Sequence, residues 1–343
     1  MSAFALWLRR TGCAVNVALQ APPVVDVPRA PMPQGAQALW LRAADGTRLR
    51  AIVWTAISAG IANVRGTVFL FGGRTEYAEK YYEVIGELIA RGFCVATVDW
   101  RGQGLSDHAL DDPRKGHVGD YVEYDSDLRA FMSEVAPSMP RPWIGLAHSM
   151  GGNILTRAMH DRSDMFAAVV LTAPMLGLRL GNSYVASALK AAAMLGSNIG
   201  LAHRYVPGTS RRANDEVPFE QNILTHDRER YEILQSQIRA EPALGLGGST
   251  YGWLAASLRS ISTVSDVKYL GTIRTPLLIF QAGEDRLVDR HALGFAAKHI
   301  VGATLVRIDG SYHEIMIETD EIRAQFWKAF DDFIARKVAV LKI

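Results

Sequence analysis

The chain has 343 residues, 49% hydrophobic and 21% charged, a balance that supports a large buried core and excludes a disordered polymer. Its net charge of +2 is too close to neutral for a nucleic-acid-binding surface or a strongly basic membrane patch. The two cysteines, Cys13 and Cys94, have no metal-ligand spacing and Cys94 lies in an apolar run, so neither a disulfide framework nor a metal site is expected.

Met1 to Gln20 is fairly apolar, but Arg9 and Arg10 interrupt it, and no run approaches the roughly 18 residues of a spanning helix. In Arg10-Thr11-Gly12-Cys13 an arginine stands where a lipoprotein cleavage site carries an aliphatic residue, so the stretch reads as a poorly ordered or peripheral leader rather than a processed signal. Without a signal the expected location is the cytoplasm, with peripheral contact at the inner membrane left open. Ala21 to Gly35 holds Pro22, Pro23, Pro28, Pro31 and Pro33 and reads as an extended linker. Residues 1–35 are therefore set apart from the core.

Ala38–Ala43 and Leu49–Thr55 are strand-like and joined by Asp45-Gly46, a strong hairpin signal. Thr67–Phe71 and Phe93–Val98 are continuous apolar runs of the kind a strand buried on both faces shows. Between them a helix repeats Tyr81, Val84, Ile85, Leu88 and Ile89 and stops at Gly92. A second helix, with Tyr124, Leu128, Phe131, Met132 and Val135 on one face, leads to the strand Pro142–Leu146. Phe166–Leu171 follows as another β-rich run. From about Met175 to Ser265 the pattern shows amphipathic helices and glycine-rich connections without a buried strand. The rhythm returns with Pro276–Phe280, a helix around His291–His299, the strand Thr304–Ile308, and a last helix carrying Ile322, Phe326, Phe330 and Phe333. Repeated strand–helix units predict an α/β fold, a mostly parallel eight-stranded sheet flanked by helices. The expected division is a core of residues 36–174 and 266–343 with a helical cap, 175–265, inserted after the sixth strand.

One stretch carries the chemistry. Gly145 to Asn153 runs from a strand into a helix, with Ser149 flanked by the small residues Ala147 and Gly151, the pattern of a nucleophile elbow. The turn is so tight that its flanks cannot carry bulk. An elbow serine needs a base, and the base needs an acid to hold it. The loop after Pro276–Phe280 carries Glu284, Asp285 and Asp289, of which Asp285 is preferred as the acid. His313 follows Thr304–Ile308 and, of nine histidines, it alone comes after the last strand. Reacting groups in open α/β sheets gather beyond the carboxyl ends of the strands, and the order Ser, Asp, His agrees. His148, beside the nucleophile, points to the opposite side of the strand end and is not the base. His291 and His299 need no functional reading. Backbone amides of Met150 and of Arg74, in the glycine-rich loop after Thr67–Phe71, are the expected oxyanion donors. The Arg74 side chain either meets an anionic headgroup or forms a salt bridge with Glu76 or another acid.

These residues resemble the α/β-hydrolase superfamily, in particular its lysophospholipase L2 and monoacylglycerol lipase branch, from about Ala38 to Arg336. The marks are Gly73-Arg74-Thr75-Glu76, the loop Asp99–Gly104 running on to Ser106, the elbow His148–Gly152 and Tyr312-His313-Glu314-Ile315. Asn222–Tyr231 and Gly247–Tyr251 of the cap are similar to the bacterial lysophospholipase group. Gly72 stands where monoacylglycerol lipases carry a histidine, which favours that group; Ala147 departs from the superfamily's glycine. The resemblance implies an α/β-hydrolase fold, a fatty-acyl carboxylic ester as substrate, an acyl-enzyme on Ser149 and no cofactor. Residues and spacing alone stop at a serine acyl hydrolase; the rivals to the fatty-acyl ester reading are a short-chain carboxylesterase or an aminopeptidase-like amidase on the same scaffold, and a silent binding module that kept the fold. Tyr184, Val185, Ala188, Leu189, Ala192 and Leu195 recur at helical spacing in the cap. That face lines an acyl groove, touches a bilayer, or packs on the core, the last being the preferred expectation.

Overall fold

A computed structural model describes residues 21–181, 183–212 and 216–338, without the side chains of 183, 185 and 186. The leader residues 1–20 lie outside the described residues. Eight strands form one sheet: β1 (Ala36–Arg42), β2 (Arg48–Trp54), β3 (Gly66–Phe71), β4 (Phe93–Val98), β5 (Trp143–His148), β6 (Ala168–Thr172), β7 (Leu277–Ala282) and β8 (Thr304–Ile308). Their order is β1-β2-β4-β3-β5-β6-β7-β8. The pairs β1–β2 and β2–β4 are antiparallel, and all the others are parallel. The mostly parallel eight-stranded sheet expected from the sequence is therefore present. Strand β5 runs on to His148, beyond the apolar run that signals it, and so delivers the chain directly to Ser149.

The pleat sorts the core. Val68 and Leu70 of β3 face one side, where they meet α1 (Tyr82–Ala90) and the last helix, α8 (Asp320–Val338). Phe69 and Phe71 face the other, with α2 (Tyr121–Val135), α3 (Ser149–Asp161) and α7 (Arg290–His299). All four are completely buried, and removing such a side chain from water contributes about 1.5–3 kcal/mol each. Helix α2 starts where it does because Asp120 and Glu123 form a reciprocal capping box.

Between β6 and β7 the described residues contain no strand of this sheet. They form α4 (Ser183–Asn198), α5 (Arg228–Ala240) and α6 (Tyr251–Val264), the stretch read as a cap. Thr250 caps α6, its hydroxyl accepting from the Trp253 amide at 3.1 Å. Ser260 of α6 donates to Asn153 of α3 at 2.6 Å, and Asn153 in turn donates to the Met175 carbonyl at 2.9 Å. One buried amide thus ties the elbow helix to both ends of the insertion. Helix α5 lies over the turn before α1, where Gln237 donates to the Glu79 carbonyl at 2.9 Å.

The apolar stripe of α4 does not pack on the core as expected. Tyr184 is 86% exposed and Leu195 62%, while Ala188 and Ala192 are exposed too and Leu189 is half-buried. The Val185 side chain lies outside the described residues. The reason is geometric: α4 rests on α6 through its small residues, and a Cβ on Gly196 would come within 2.8 Å of the Tyr251 ring. Buried Ala193 lies in the same turn as Gly196, so the larger residues are turned outward. Among the described residues no helix is long and apolar enough to cross a membrane.

Candidate active site

No residue separates β5 from α3. Ser149 has φ 49°, in the left-handed region that side-chain-bearing residues avoid, which is the strain a nucleophile elbow stores. A Cβ on Gly151 would lie 2.6 Å from the Gly72 carbonyl oxygen and 2.8 Å from that of Phe71, so glycine is required there. Ala147, by contrast, is accommodated: it is fully buried within the same apolar cluster as Phe71.

The structure brings Ser149, Asp285 and His313 together from three separate strand ends. His313 Nδ1 lies 2.7 Å from Asp285 Oδ2, and its Nε2 lies 3.0 Å from Ser149 Oγ. A carboxylate only accepts, so Nδ1 carries the proton and Nε2 is left to accept from the serine hydroxyl. The other Asp285 oxygen accepts from the Leu287 and Val288 amides at 2.8 and 2.9 Å. The loops that carry the acid and the histidine are stitched together, the Glu284 amide donating to the Ser311 carbonyl at 2.8 Å. Asp289 instead caps α7 through the His291 amide, and the Glu284 side chain is exposed. Burial works to lower the His313 pKa, but the Asp285 hydrogen bond and charge, with Glu314 and Glu76 behind, leave it above the ordinary imidazole value. Burial works to raise that of Asp285, and the His313 contact leaves it below the usual carboxylate range.

The loop after β3 runs past the serine, a Cβ on Gly73 coming within 3.0 Å of Ser149 Cβ. The Gly73 amide is taken by the Glu76 carboxylate, and the Thr75 amide donates to Gln103 Oε1 at 3.3 Å. The amide of Arg74 between them has no acceptor among the described residues. Trp100 Nε1 and Gln103 Nε2 hold the Gly72 and Gly73 carbonyls from behind at 3.0 and 2.7 Å. Asp99 shapes the loop bearing Trp100 and Gln103, accepting from the Leu105 and Ala78 amides at 2.8 and 2.9 Å. It is anchored by Arg50 of β2, buried between Asp99 at 2.7 Å and Glu79 at 2.6 Å. The Met150 amide lies in the first turn of α3, where helix geometry supplies no acceptor.

Residues 62–320 of the chain match the family model described as serine aminopeptidase, S33. The chain belongs to the S33 family. Among this S33 chain's relatives, "Lysophospholipase L2" of Escherichia coli strain K12 is 37% identical over 284 residues, covering 78% of this chain and 80% of that protein. "Monoacylglycerol lipase" of Mycolicibacterium smegmatis is 26% identical over 282 residues, 80% of this chain and 89% of that one. A soluble variant of monoglyceride lipase from Saccharomyces cerevisiae, solved with a substrate analog, superposes with a TM-score of 0.66 at 17% identity. It covers 88% of this chain and 96% of that one, a likeness of α/β-hydrolase fold.

Beneath the S33 site lies a buried polar floor that the sequence reading missed. Lys80 Nζ sits 2.5 Å from Glu76 and 2.6 Å from Glu314. Tyr81 donates to Glu76, and the His148 ring packs 4.7 Å from that of His313. His148 hydrogen-bonds Thr172 Oγ1 at 3.0 Å, and burial pushes its pKa down to about 3, so it is a neutral spacer. Glu76, His148 and Glu314 are close enough together to hold a cation, and Lys80 supplies that positive charge. The available signals were the i,i+4 spacing of Glu76 and Lys80 and the adjacency of Glu314 to His313. Neither says that the charges are buried. The floor also corrects one expectation: Arg74 forms no salt bridge with Glu76, whose oxygens are already engaged. Its Nη2 turns to the cap and donates to the Gly247 carbonyl at 2.8 Å.

Proposed function

We propose that this chain hydrolyses the fatty-acyl carboxylic ester of lysophospholipids through an acyl-enzyme on Ser149. The observation that carries the reading is the hydrogen-bonded run Asp285–His313–Ser149, at 2.7 and 3.0 Å, on an elbow of left-handed backbone. The choice of ester is supported by the 37% identity to the Escherichia coli protein named lysophospholipase L2. Ser149 Oγ attacks the ester carbonyl carbon as His313 Nε2 takes its proton, and Asp285 supports the imidazolium that results. The Arg74 and Met150 amides hold the oxyanion, each well-placed donor contributing about 3–4 kcal/mol to the transition state. Collapse expels the glycerol oxygen, which receives the proton from His313. Water, deprotonated by His313, then cleaves the acyl-enzyme and releases the fatty acid. The scheme uses side chains, two amides and water.

Fatty-acid release from a lysophospholipid, a monoacylglycerol of the same chain and a short-chain aryl ester, measured in parallel, tests the reading. The expected result is a kcat/KM for the lysophospholipid at least tenfold above that for the monoacylglycerol. Activity confined to the short ester rejects the lipid substrate and keeps Ser149 as a nucleophile.

The exposed stripe of α4 supports peripheral contact with a lipid aggregate, because Tyr184 and Leu195, with Ile199 just past the helix end (62% exposed), offer apolar surface that no described residue covers. A Tyr184→Ser, Leu195→Ser variant is expected to co-sediment with phosphatidylethanolamine–phosphatidylglycerol vesicles several-fold less than the parent. Equal co-sedimentation removes α4 from the membrane reading.

A further inference from the structure

The side chain of Arg74 plays no part in the scheme above, and its surroundings are unusual for a guanidinium. It is half-buried between the oxyanion loop and the cap, with its carbon 4.9 Å above the Trp253 ring and Nη2 on the Gly247 carbonyl. Its Nε is shut off from water and has no acceptor. Among the described residues no carboxylate pairs with it. The groups that act on it electrostatically are the phenols of Tyr124, Tyr121 and Tyr205 rather than carboxylates. Burial pulls its pKa down to about 10, which still leaves it cationic at neutral pH.

The other buried arginines near the site are treated differently. Arg50 lies between Glu79 and Asp99, and Arg101 is held by Asp127 at 2.6 Å. A desolvated cation without a counter-charge is costly to keep, and departures of this kind concentrate where a ligand completes the site.

We infer that the Arg74 guanidinium binds the phosphate of the substrate headgroup while the amide of the same residue holds the acyl oxygen. The inference rests on the ester-hydrolase reading above and adds the residue that reads the headgroup. Covalent geometry supports the double use. In a 1-acyl glycerophospho ester the carbonyl carbon and the phosphorus are separated by as many bonds as the amide nitrogen and guanidinium carbon of an arginine. A substrate laid along Arg74 therefore brings both of its oxygen-rich ends to donors of one residue. The phosphate supplies the missing counter-charge, and its oxygens suit the planar fork of guanidinium donors. A monoacylglycerol reaches the same amide but leaves the guanidinium unpaired.

The test is the ratio of kcat/KM for lysophosphatidylethanolamine to that for the monoacylglycerol of the same chain, in the parent, Arg74→Met and Arg74→Lys. Because the monoacylglycerol rate of each variant is the denominator, general damage to the oxyanion loop or the cap cancels. The ratio is expected to fall 10- to 100-fold in Arg74→Met and to recover in part in Arg74→Lys. A ratio unchanged within twofold assigns Arg74 to stapling the loop to the cap and overturns the inference, leaving the substrate reading intact. A parent that hydrolyses only the short aryl ester overturns the substrate reading and the inference with it. A second measurement needs no variant: glycerol 3-phosphate is expected to inhibit short-ester hydrolysis competitively at matched ionic strength, where glycerol and inorganic phosphate do so several-fold less. Equal weak effects of all three overturn the inference, and inhibition as strong by inorganic phosphate shows a site for any phosphate rather than a headgroup site.

Discussion

Ser149→Ala is expected to lower kcat/KM on a lysophospholipid by a factor on the order of 10⁵ to 10⁶, the loss that follows when the nucleophile of a cooperating triad is removed. The residue sits at φ 49°, and alanine shares that backbone cost, so the elbow keeps its shape and the variant stays folded. In the proposed scheme His313 then has no hydroxyl to deprotonate, while the Arg74 and Met150 amides are still expected to polarise a bound carbonyl. Whatever rate survives reports those donors alone. Labelling by a serine-directed fluorophosphonate should disappear in the same variant, with an unchanged far-ultraviolet circular dichroism spectrum. A variant retaining a tenth of the parent activity would remove Ser149 from the mechanism.

Asp285→Asn is expected to cost about 10⁴-fold in kcat, through tautomer choice rather than geometry. One Asp285 oxygen is held by the Leu287 and Val288 amides, so an asparagine keeps its carbonyl there and turns its NH₂ toward His313 Nδ1. That nitrogen must then accept, the proton moves to Nε2, and the ring can no longer take the serine proton. The pH profile gives a second readout. In the proposed scheme neutral His313 is the active form, so activity is expected to be lost as pH falls through its pKa. In the parent this acid limb is expected above the ordinary imidazole value of 6.5, because the carboxylates around the ring outweigh its burial. In Asp285→Asn burial persists while the largest compensating charge is gone, so the limb moves to lower pH. Superimposable limbs in the two proteins would exclude Asp285 as the partner that sets the histidine.

Much of this architecture could be read from the sequence because it depends on local pattern. Strands buried on both faces announce themselves as apolar runs such as those of β3 and β4. Ser149 is marked by steric limits on its immediate neighbours, and Asp285 and His313 by following strands that the same pattern locates. What escaped was set by tertiary contact. Glu76, Lys80 and Glu314 look like solvated surface charges in the sequence, and only packing reveals that they neutralise one another under His313. The periodicity of α4 shows that an apolar face exists but not what covers it, and the small residues that seat the helix on α6 carry a weaker signal than the large ones. For Arg74, a nearby acid in the sequence suggested a partner that Lys80 had already taken.

Along the chain the entire insertion separates Ser149 from Asp285, yet in the sheet their strands, β5 and β7, are only two ladder steps apart. Inter-strand spacing is set by backbone hydrogen bonding and is indifferent to loop length. The ladder therefore acts as a ruler for the reacting groups, and the chain between its marks is free to diverge. A lineage built on this plan can exchange the inserted helices without relearning how to hold the three reacting groups together.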